Sequence, residues 1–301
     1  MNIILSFIGK LPVYIIDCIY QIRLYYNGNI YLILNDYNSE HLNELKKYNI
    51  NFIKYEDVFD INFSNNMNNN IKNFWYYLDW VVEREQLFTR SIERFFLANN
   101  LINLLDLKDN IFMEIDILIY SDPNLWVKQF SIKDVGYMAH SSDHSNSGVF
   151  YIKDKNSLKE ILDYTIIYIQ NAQYKDCPNE MKALYNYYIK NPDKIYLFPL
   201  MYNDDINNID IIANENYIDS IFDGAAFGIY LLGEDPIHNK GVIVYNKTFD
   251  HFIIKAKNYK LKWDIIDGLK KPFIYNPKND NWILINNLHV HSKDLKSGIS
   301  R

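Results

Sequence analysis

Hydrophobic and polar positions over the first sixty residues switch between two periods. The runs NIILSFI (2–8), NIYLILN (29–35) and NFIKYED (51–57) are short, rich in Ile and Leu and flanked by polar residues, the pattern of strands. Between them, VYIIDCIYQIRLYY (13–26) and SEHLNELKKYN (39–49) carry apolar residues at helical spacing, the second opened by Ser39. Strand, helix, strand, helix, strand predicts a parallel sheet with crossover helices. An Asn-rich stretch, 63–73, predicts a surface loop, and a long helical pattern then runs from Asn73 to Leu104.

That helix leads into NIFMEIDILIYSDPN (110–124), where Glu114 and Asp116 interrupt an otherwise apolar run. The residues from Phe112 to Tyr120 read as a buried strand, bounded by Asn110 and by Ser121-Asp122-Pro123. One unpaired carboxylate in such a setting is costly, and two are costlier. Strand alternation puts Glu114 and Asp116 on one face. Either a cation sits between them or the strand end opens to water.

The second half is mixed. Residues 131–154 hold short strands and turns, helices are expected over 157–172 and 178–190, and a strand over 194–200. The stretch 221–239 is turn-rich, and the last patterned segment is 282–295, ending LHVHSKDL. With no repeat or flexible linker, the pattern predicts one α/β domain around a central, mostly parallel sheet flanked by helices. Ligands of such sheets lie beyond the carboxyl ends of the strands. At that edge fall Phe7 to Lys10, the pair Glu114 and Asp116, and Asn146-Ser147-Gly148. His289 and His291 share a strand face near the end of the chain, and Lys293 follows within reach of a phosphate oxygen. Carboxylates joined by imidazole suit a hard divalent ion, Mn²⁺ or Mg²⁺.

Charge and cysteine content narrow the classes. The net charge of −6 over 301 residues, with no basic stripe or tail in the sequence, argues against a nucleic-acid or anionic-membrane binder. Aromatic residues are plentiful enough to serve as stacking platforms, but Ile, Asn, Lys and Tyr all have A/T-rich codons, and an A/T-rich genome is the plainer account. Cys18 and Cys177 are too few for a disulfide framework and wrongly spaced for a thiolate metal site, which fits a reducing compartment. Lys10 and Pro12 break the apolar opening before it reaches the length of a signal or a membrane span. The expectation is a soluble, cytoplasmic protein, in which the triplets Asn62-Phe63-Ser64 and Asn246-Lys247-Thr248 carry no glycosylation signal.

In order and context, Glu-x-Asp in an apolar strand, Asn-Ser-Gly-Val, Asp-Gly-Ala-Ala and a terminal Leu-His-x-His-Ser-Lys resemble the motifs of nucleotide-sugar-dependent glycosyltransferases of the GT-A, Rossmann-like fold. The resemblance spans most of the chain. It implies a single domain, with residues 1–125 as the nucleotide-binding half and residues 126–301 as the acceptor-binding half with the carboxyl-terminal metal and diphosphate motif. It implies a donor diphosphate, of a UDP-sugar, held on a divalent ion by Glu114 and Asp116. Glu stands where the motif commonly has Asp, which leaves Asp116 as the principal ligand. A carboxyl-terminal histidine completes the shell, His291 first and His289 as its alternative. The implied donor site also draws on Phe7, Lys10, Ser91, Arg94, Asn146, Ser147, Gly148 and Lys293. For an inverting enzyme, Asp223 or Asp235 takes the proton of a glycan or other hydroxyl acceptor, with Glu234 beside them, whereas a retaining enzyme needs no such base.

Duller readings stand beside these. Arg94 can be an ordinary helix charge, Asn146-Ser147-Gly148 a turn, and Asp223 the cap of the helix that follows it. His140 and His144 lack the partners of a zinc site. The Gly224-x-x-x-Gly228 spacing has no membrane span to serve, and no Gly-Lys-Ser/Thr loop is present. Two other functions use the same residues: a silent sugar-binding module, and a metal-dependent phosphohydrolase needing a second acidic cluster from Asp204, Asp205 or Asp210. Residues 289–295 are expected to close over a bound donor as a lid or rim, and a chain ending at Asn287 to remain folded.

Overall fold

The computed structural model describes residues 1–59, 61, 85–171, 179–200, 220–234, 253–277 and 280–301. The strands in them are, in chain order, β1 (Asn2–Phe7), β2 (Asn29–Leu34), β3 (Asn51–Lys54), β4 (Asn110–Met113), β5 (Ile117–Ile119), β6 (Val135–Ala139), β7 (Ser145–Ile152), β8 (Ile195–Leu197), β9 (Ser220–Ile221), β10 (Leu261–Ile266), β11 (Leu269–Asn276), β12 (Asn281–Ile285) and β13 (Asn287–His289). Seven of them form the central sheet in the order β3-β2-β1-β4-β7-β6-β8. Pairing is parallel from β3 to β4 and between β6 and β8, and β7 is antiparallel to both its neighbours. The α/β class and the mostly parallel sheet flanked by helices are as expected.

Side-chain alternation assigns the two faces. Ile3, Leu5, Ile111 and Met113 pack with the helix Ile15–Tyr25, while Ile4, Ile33, Phe112 and Phe150 pack on the other side. That second face is covered by the helices Glu85–Leu105, Lys155–Asn171 and Glu180–Lys190, which supply Phe95, Leu101, Leu158 and Leu184. No helix among the described residues is long and apolar enough to cross a membrane.

Several expected elements are shorter. The second helix is a single turn, Leu42–Leu45, followed by a 3₁₀ turn that ends at Asn49 in the left-handed region. β3 stops at Lys54 and the chain enters a helical turn, Tyr55–Val58. The Asn-rich loop and the start of the long helix lie outside the described residues.

The largest departure concerns the strand expected over 112–120. Glu114 N–H donates to Gly148 O at 2.9 Å, and Ile117 N–H turns back to Glu114 O at 3.3 Å. The chain therefore leaves the central sheet at Met113, turns through Glu114 and Asp116, and re-forms as β5 paired antiparallel with β13. The two acids converge because of this turn, not because of strand pleat. Likewise, the expected segment 282–295 divides between sheets: β12 joins β10, β11 and β9, and β13 joins β5.

Between β10 and β11 the chain turns at Asp267 (φ 55°) and Gly268 (φ 75°), both left-handed, as the two central residues of a type I′ hairpin turn must be. Asp-Gly between apolar residues was a readable hairpin signal that the pattern analysis left unassigned.

The carboxyl terminus is pinned to the body. Fully buried Gln21 donates from Nε2 to Ile119 O at 2.6 Å and to Ser300 Oγ at 2.9 Å, and its Oε1 accepts from Ser300 N at 3.0 Å. Tyr120 OH donates to Gly298 O at 2.8 Å, where any larger side chain would collide with Leu118 and Leu232. With Val290 and Leu295 also buried, residues 290–300 are packed on the body as a rim. A chain cut after Asn287 would expose these groups, contrary to the expectation that it folds.

Asp223 ties that rim to the sheet. Its Oδ1 accepts the N–H groups of Ala225 and Phe227, both at 2.9 Å, and its Oδ2 those of Gly228 at 2.7 Å and His289 at 3.1 Å. Asn287 adds a reciprocal pair, accepting from Asp223 N and donating to Asp223 O. The carboxylate thus caps the helix Ala226–Leu232 and fastens β13 beside it. Gly228 sits so close to His289 that an added Cβ would fall 2.1 Å from its carbonyl oxygen. Asp223→Asn would turn an amide N–H₂ toward two backbone donors; the expected loss of stability is about 2–4 kcal/mol, measured by chemical denaturation. An unchanged denaturation midpoint would contradict this role.

Candidate active site

β1 lies between β2 and β4, so the chain reverses its direction of travel across the sheet at the β1–β4 boundary, and the crevice beyond the carboxyl ends of these strands is the expected binding position of such a sheet. Met113 pairs with Leu5, which brings the Glu114–Asp116 turn beside the loop that follows Phe7. Phe7 is partly buried against the core and Lys10 is exposed. The loop is held by Gly9 N–H donating to Asn35 Oδ1 at 2.9 Å and Leu11 N–H to Asp36 Oδ2 at 3.1 Å.

β13 carries His289 opposite Ile117, directly after the acidic turn. His289 Nε2 lies 3.1 Å from Glu114 Oε2 and 3.4 Å from Asp116 Oδ2. One ligand atom from each of these three residues falls within 4.8 Å of the others. Lys293, in the left-handed region just past the strand, pairs its ammonium with Asp116 Oδ2. From the opposite side, Arg94 pairs with Glu114 Oε1.

These contacts decide the protonation states. Burial would raise both carboxyls, but Arg94 and His289 hold Glu114 down to about 2, and Lys293 and His289 hold Asp116 well below its usual range. Burial would lower His289, yet Asp116 and Glu114 raise it to about 10. Lys293 is raised as well, by Asp116 against its own burial. His291 goes the other way: burial and the neighbouring charge of His289 hold it neutral. Its ring centroid is 4.3 Å from that of His289.

The donor set fits a divalent ion. Two ionised carboxylates and an imidazole, which would give up its proton to the ion, suit Mn²⁺ or Mg²⁺. His289 Nδ1 and His291 Nε2 are buried with no hydrogen-bond partner among the described residues, a cost that native interiors seldom carry. The sequence favoured His291 over His289, whereas the geometry groups His289 with the acids and leaves the His291 ring tilted against it.

Arg94 is more than a helix charge. Besides Glu114 it donates from Nη2 to Ser147 Oγ at 2.8 Å and from Nε to Ser91 O at 2.9 Å. Ser91 Oγ donates to Glu180 Oε2 at 2.7 Å, and a second Glu180 oxygen lies 3.9 Å from Arg94. Burial raises the Glu180 carboxyl, with Arg94 opposing. Pattern reading missed Glu180, because it meets Ser91 across 89 residues of chain. It also missed Tyr14, whose phenol is raised to about 12 by burial and then by Asp116. Only its place in the loop after β1 pointed to it.

Asn146, Ser147 and Gly148 belong to β7, not to a free turn. Asn146 Oδ1 accepts from Gly148 N–H at 2.8 Å. A Cβ on Gly148 would stand 3.2 Å from His289 Nδ1, so glycine lets the imidazole lie against this strand. His140 and His144 turn elsewhere: His140 Nδ1 lies 2.9 Å from Gly224 O and His144 Nδ1 lies 2.6 Å from Asp143 Oδ1.

Asp223 does not fit the role of acceptor base. It is fully buried and each carboxylate oxygen already accepts two backbone N–H groups, so it has no free lone pair aimed at a substrate. Burial raises its pKa, and the N–H of His289 leads the opposing contacts. Of the rival bases, Glu234 is exposed at the end of its helix, and Asp235 lies outside the described residues, as do Asp204, Asp205 and Asp210.

Similar solved structures are glycosyltransferases. The PaToxG glycosyltransferase is 18% identical, over 64% of this chain and 70% of that chain, with a TM-score of 0.38. The galactosyltransferase LgtC, solved with donor and acceptor sugar analogues, is 12% identical over 66% and 73%, with a TM-score of 0.42. The glycosyltransferase GlyE of Streptococcus pneumoniae TIGR4 is 10% identical over 65% of this chain and 45% of its own length, with a TM-score of 0.41. No protein-family model matches the sequence, and no curated protein matches it. The reading of the site depends on none of these likenesses.

The cation–carboxylate cluster makes metal-free stability pH-dependent. Because His289 is raised from 6.5 to about 10, its contribution is complete below 6.5 and lost as pH rises through about 10. Because Glu114 is lowered from 4.5 to about 2, its contribution is present above 4.5 and lost as pH falls through about 2. In chelator, the stability of the wild type against denaturant is expected to fall from neutral pH toward 10, and that of His289→Gln to change much less. Parallel pH profiles would contradict the pairing.

Proposed function

We propose that this chain is a glycosyltransferase that moves a sugar from a nucleotide-diphosphate donor, a UDP-sugar, to a hydroxyl of a glycan or similar acceptor, with Mn²⁺ or Mg²⁺ as cofactor. One observation carries the reading: at the carboxyl edge of a mostly parallel sheet, two ionised carboxylates, an imidazole and a lysine from segments 173 or more residues apart meet in one cluster. The motif resemblance supplies the reaction class.

In this reading Asp116, Glu114 and His289 hold the ion, with His291 Nε2 as a further nitrogen beside them. When bound, the ion offsets the negative charge that grows on the leaving diphosphate. Arg94 keeps Glu114 ionised and oriented. Lys293 has three donors and an ammonium that can turn from Asp116 to a phosphate oxygen as the donor arrives. The loop from Phe7 to Lys10, with Tyr14, borders the nucleotide, and Ser91, Asn146, Ser147 and Gly148 line the sugar side. Residues 1–125 thus supply the nucleotide half and residues 126–301 the acceptor half, in the cytoplasm. If the reaction inverts, Asp235, with Glu234 as rival, takes the acceptor proton; a retaining reaction requires neither.

UDP release from a panel of UDP-sugars, with Mn²⁺ and with chelator, tests this. Release is expected only with metal, reduced about 10²-fold or more by Asp116→Ala or His289→Ala. Lys293→Ala is expected to weaken UDP far more than Mn²⁺. Donor binding without release would point to a silent sugar-binding module, and metal-dependent cleavage of a simple phosphodiester to a phosphohydrolase. Metal-independent release would overturn the site.

A further inference from the structure

The β10–β11 hairpin leaves a long strand at the margin of its sheet. Among the described residues β10 is paired on one side only, with β11, and its six residues run in unbroken register with no bulge, glycine or proline. Sheet edges are commonly guarded by such interruptions, or by charges that repel an incoming strand. The charges on β10, Lys262 and Asp264, are of opposite sign.

Antiparallel pairing fixes which backbone groups of β10 face outward. Tyr275 N–H donates to Lys260 O at 3.0 Å, and Pro272, which has no N–H, stands opposite Trp263. Bonded and non-bonded pairs alternate along such a ladder, so Lys262, Asp264 and Ile266 face β11, while Leu261, Trp263 and Ile265 turn their N–H and C=O groups to the open side. The N–H of Ile265 accordingly donates to Asp264 Oδ1, at 2.9 Å. Side chains divide by the same alternation. Leu261, Trp263 and Ile265 share the face toward the body, where the Trp263 ring meets that of Tyr120 edge-on at 5.8 Å between centres. Lys262 and Asp264 share the other face and pair with each other at 2.8 Å. Ile265 is left 70% exposed.

We propose that β10 pairs antiparallel with β10 of a second copy of this chain, about a two-fold axis at Trp263. The stretch LKWDI is self-complementary in that register. Trp263 meets Trp263, Leu261 meets Ile265 and Lys262 meets Asp264, the last two contacts repeated by symmetry. Every outward N–H and C=O of the three residues is then bonded, and Ile265 gains an apolar neighbour. A register centred on Lys262 or Asp264 would set that charge against its own like. One centred on Leu261 would set Lys262 against Lys260, and one centred on Ile265 would pair neither charge. Charge complementarity therefore selects both the occupant and the register. The contact uses up the same edge in both copies, so association ends at the dimer.

Sedimentation velocity of the full chain over a concentration series, with chelator present so that no metal bridges the copies, tests the proposal. A monomer–dimer equilibrium is expected. Asp264→Lys and Lys262→Asp, which each set like charges across the axis, should each weaken dimerisation by about tenfold or more. Their melting temperatures should stay near that of the wild type, because an exposed ion pair contributes little to folding. Both changes in one chain put opposite charges back in this register and should restore the dimer; mixing the two single variants should give a heterodimer. Ile265→Pro, which removes an outward donor and none that faces β11, should abolish dimerisation. A monomer at every concentration, with the edge left to the strand of another protein, would overturn the proposal. So would a dimer indifferent to the single charge changes, or one that the combined change fails to restore.

Discussion

Two carboxylates removed from water at the end of a central strand must be answered by positive charge, and the remainder of the site is the answer. Glu114 and Asp116 stand where β4 leaves the sheet, and burial alone would push both toward the neutral form. Three cations prevent this, each from a different part of the chain: Arg94 from the long helix, His289 from β13 and Lys293 from the turn beyond it. The carboxyl-terminal segment is thereby bound to the middle of the chain by charge as well as by packing. Any divalent ion that enters meets two carboxylates already ionised and converged, and takes the place of the proton that His289 holds without it.

That convergence depends on contacts remote from it. Asp223 holds β13 through the backbone N–H of His289, and Gln21 holds the tail beyond Lys293 through Ser300. Neither side chain is free to meet a substrate. Both fix the height and angle at which His289 and Lys293 face the acids, so a substitution at either residue acts on the site through position. Ser91 and Glu180 do the same for Arg94 from the other side of the cluster.

Much of this was legible in the sequence. The alternation of strand and helix in residues 2–57 declared a parallel sheet, and two acids in an apolar run declared either a cation between them or a strand end open to water. His-x-His declared a ligand but not which histidine, since a spacing of two puts both on one face. The choice follows from where β13 ends: His289 is still in the ladder opposite Ile117, and His291 is past it. Asp223 was misjudged because Asp-Gly-Ala-Ala reads equally as an open turn or a cap, and only the proximity of β13 shows the carboxylate to be saturated. Glu180 and Tyr14 left little or no local trace because their contacts are long-range.

The direct test of the metal centre is pulsed electron paramagnetic resonance of Mn²⁺ added to the full chain, read for coupling to imidazole nitrogen. The expected result is bound Mn²⁺ with a nitrogen coupling that His289→Gln removes or sharply reduces and His291→Gln largely preserves, with no bound ion in Asp116→Ala. Bound Mn²⁺ whose nitrogen coupling survives in His289→Gln, or no bound Mn²⁺ in the wild type, would contradict the assignment of the Glu114, Asp116 and His289 cluster as a cation site.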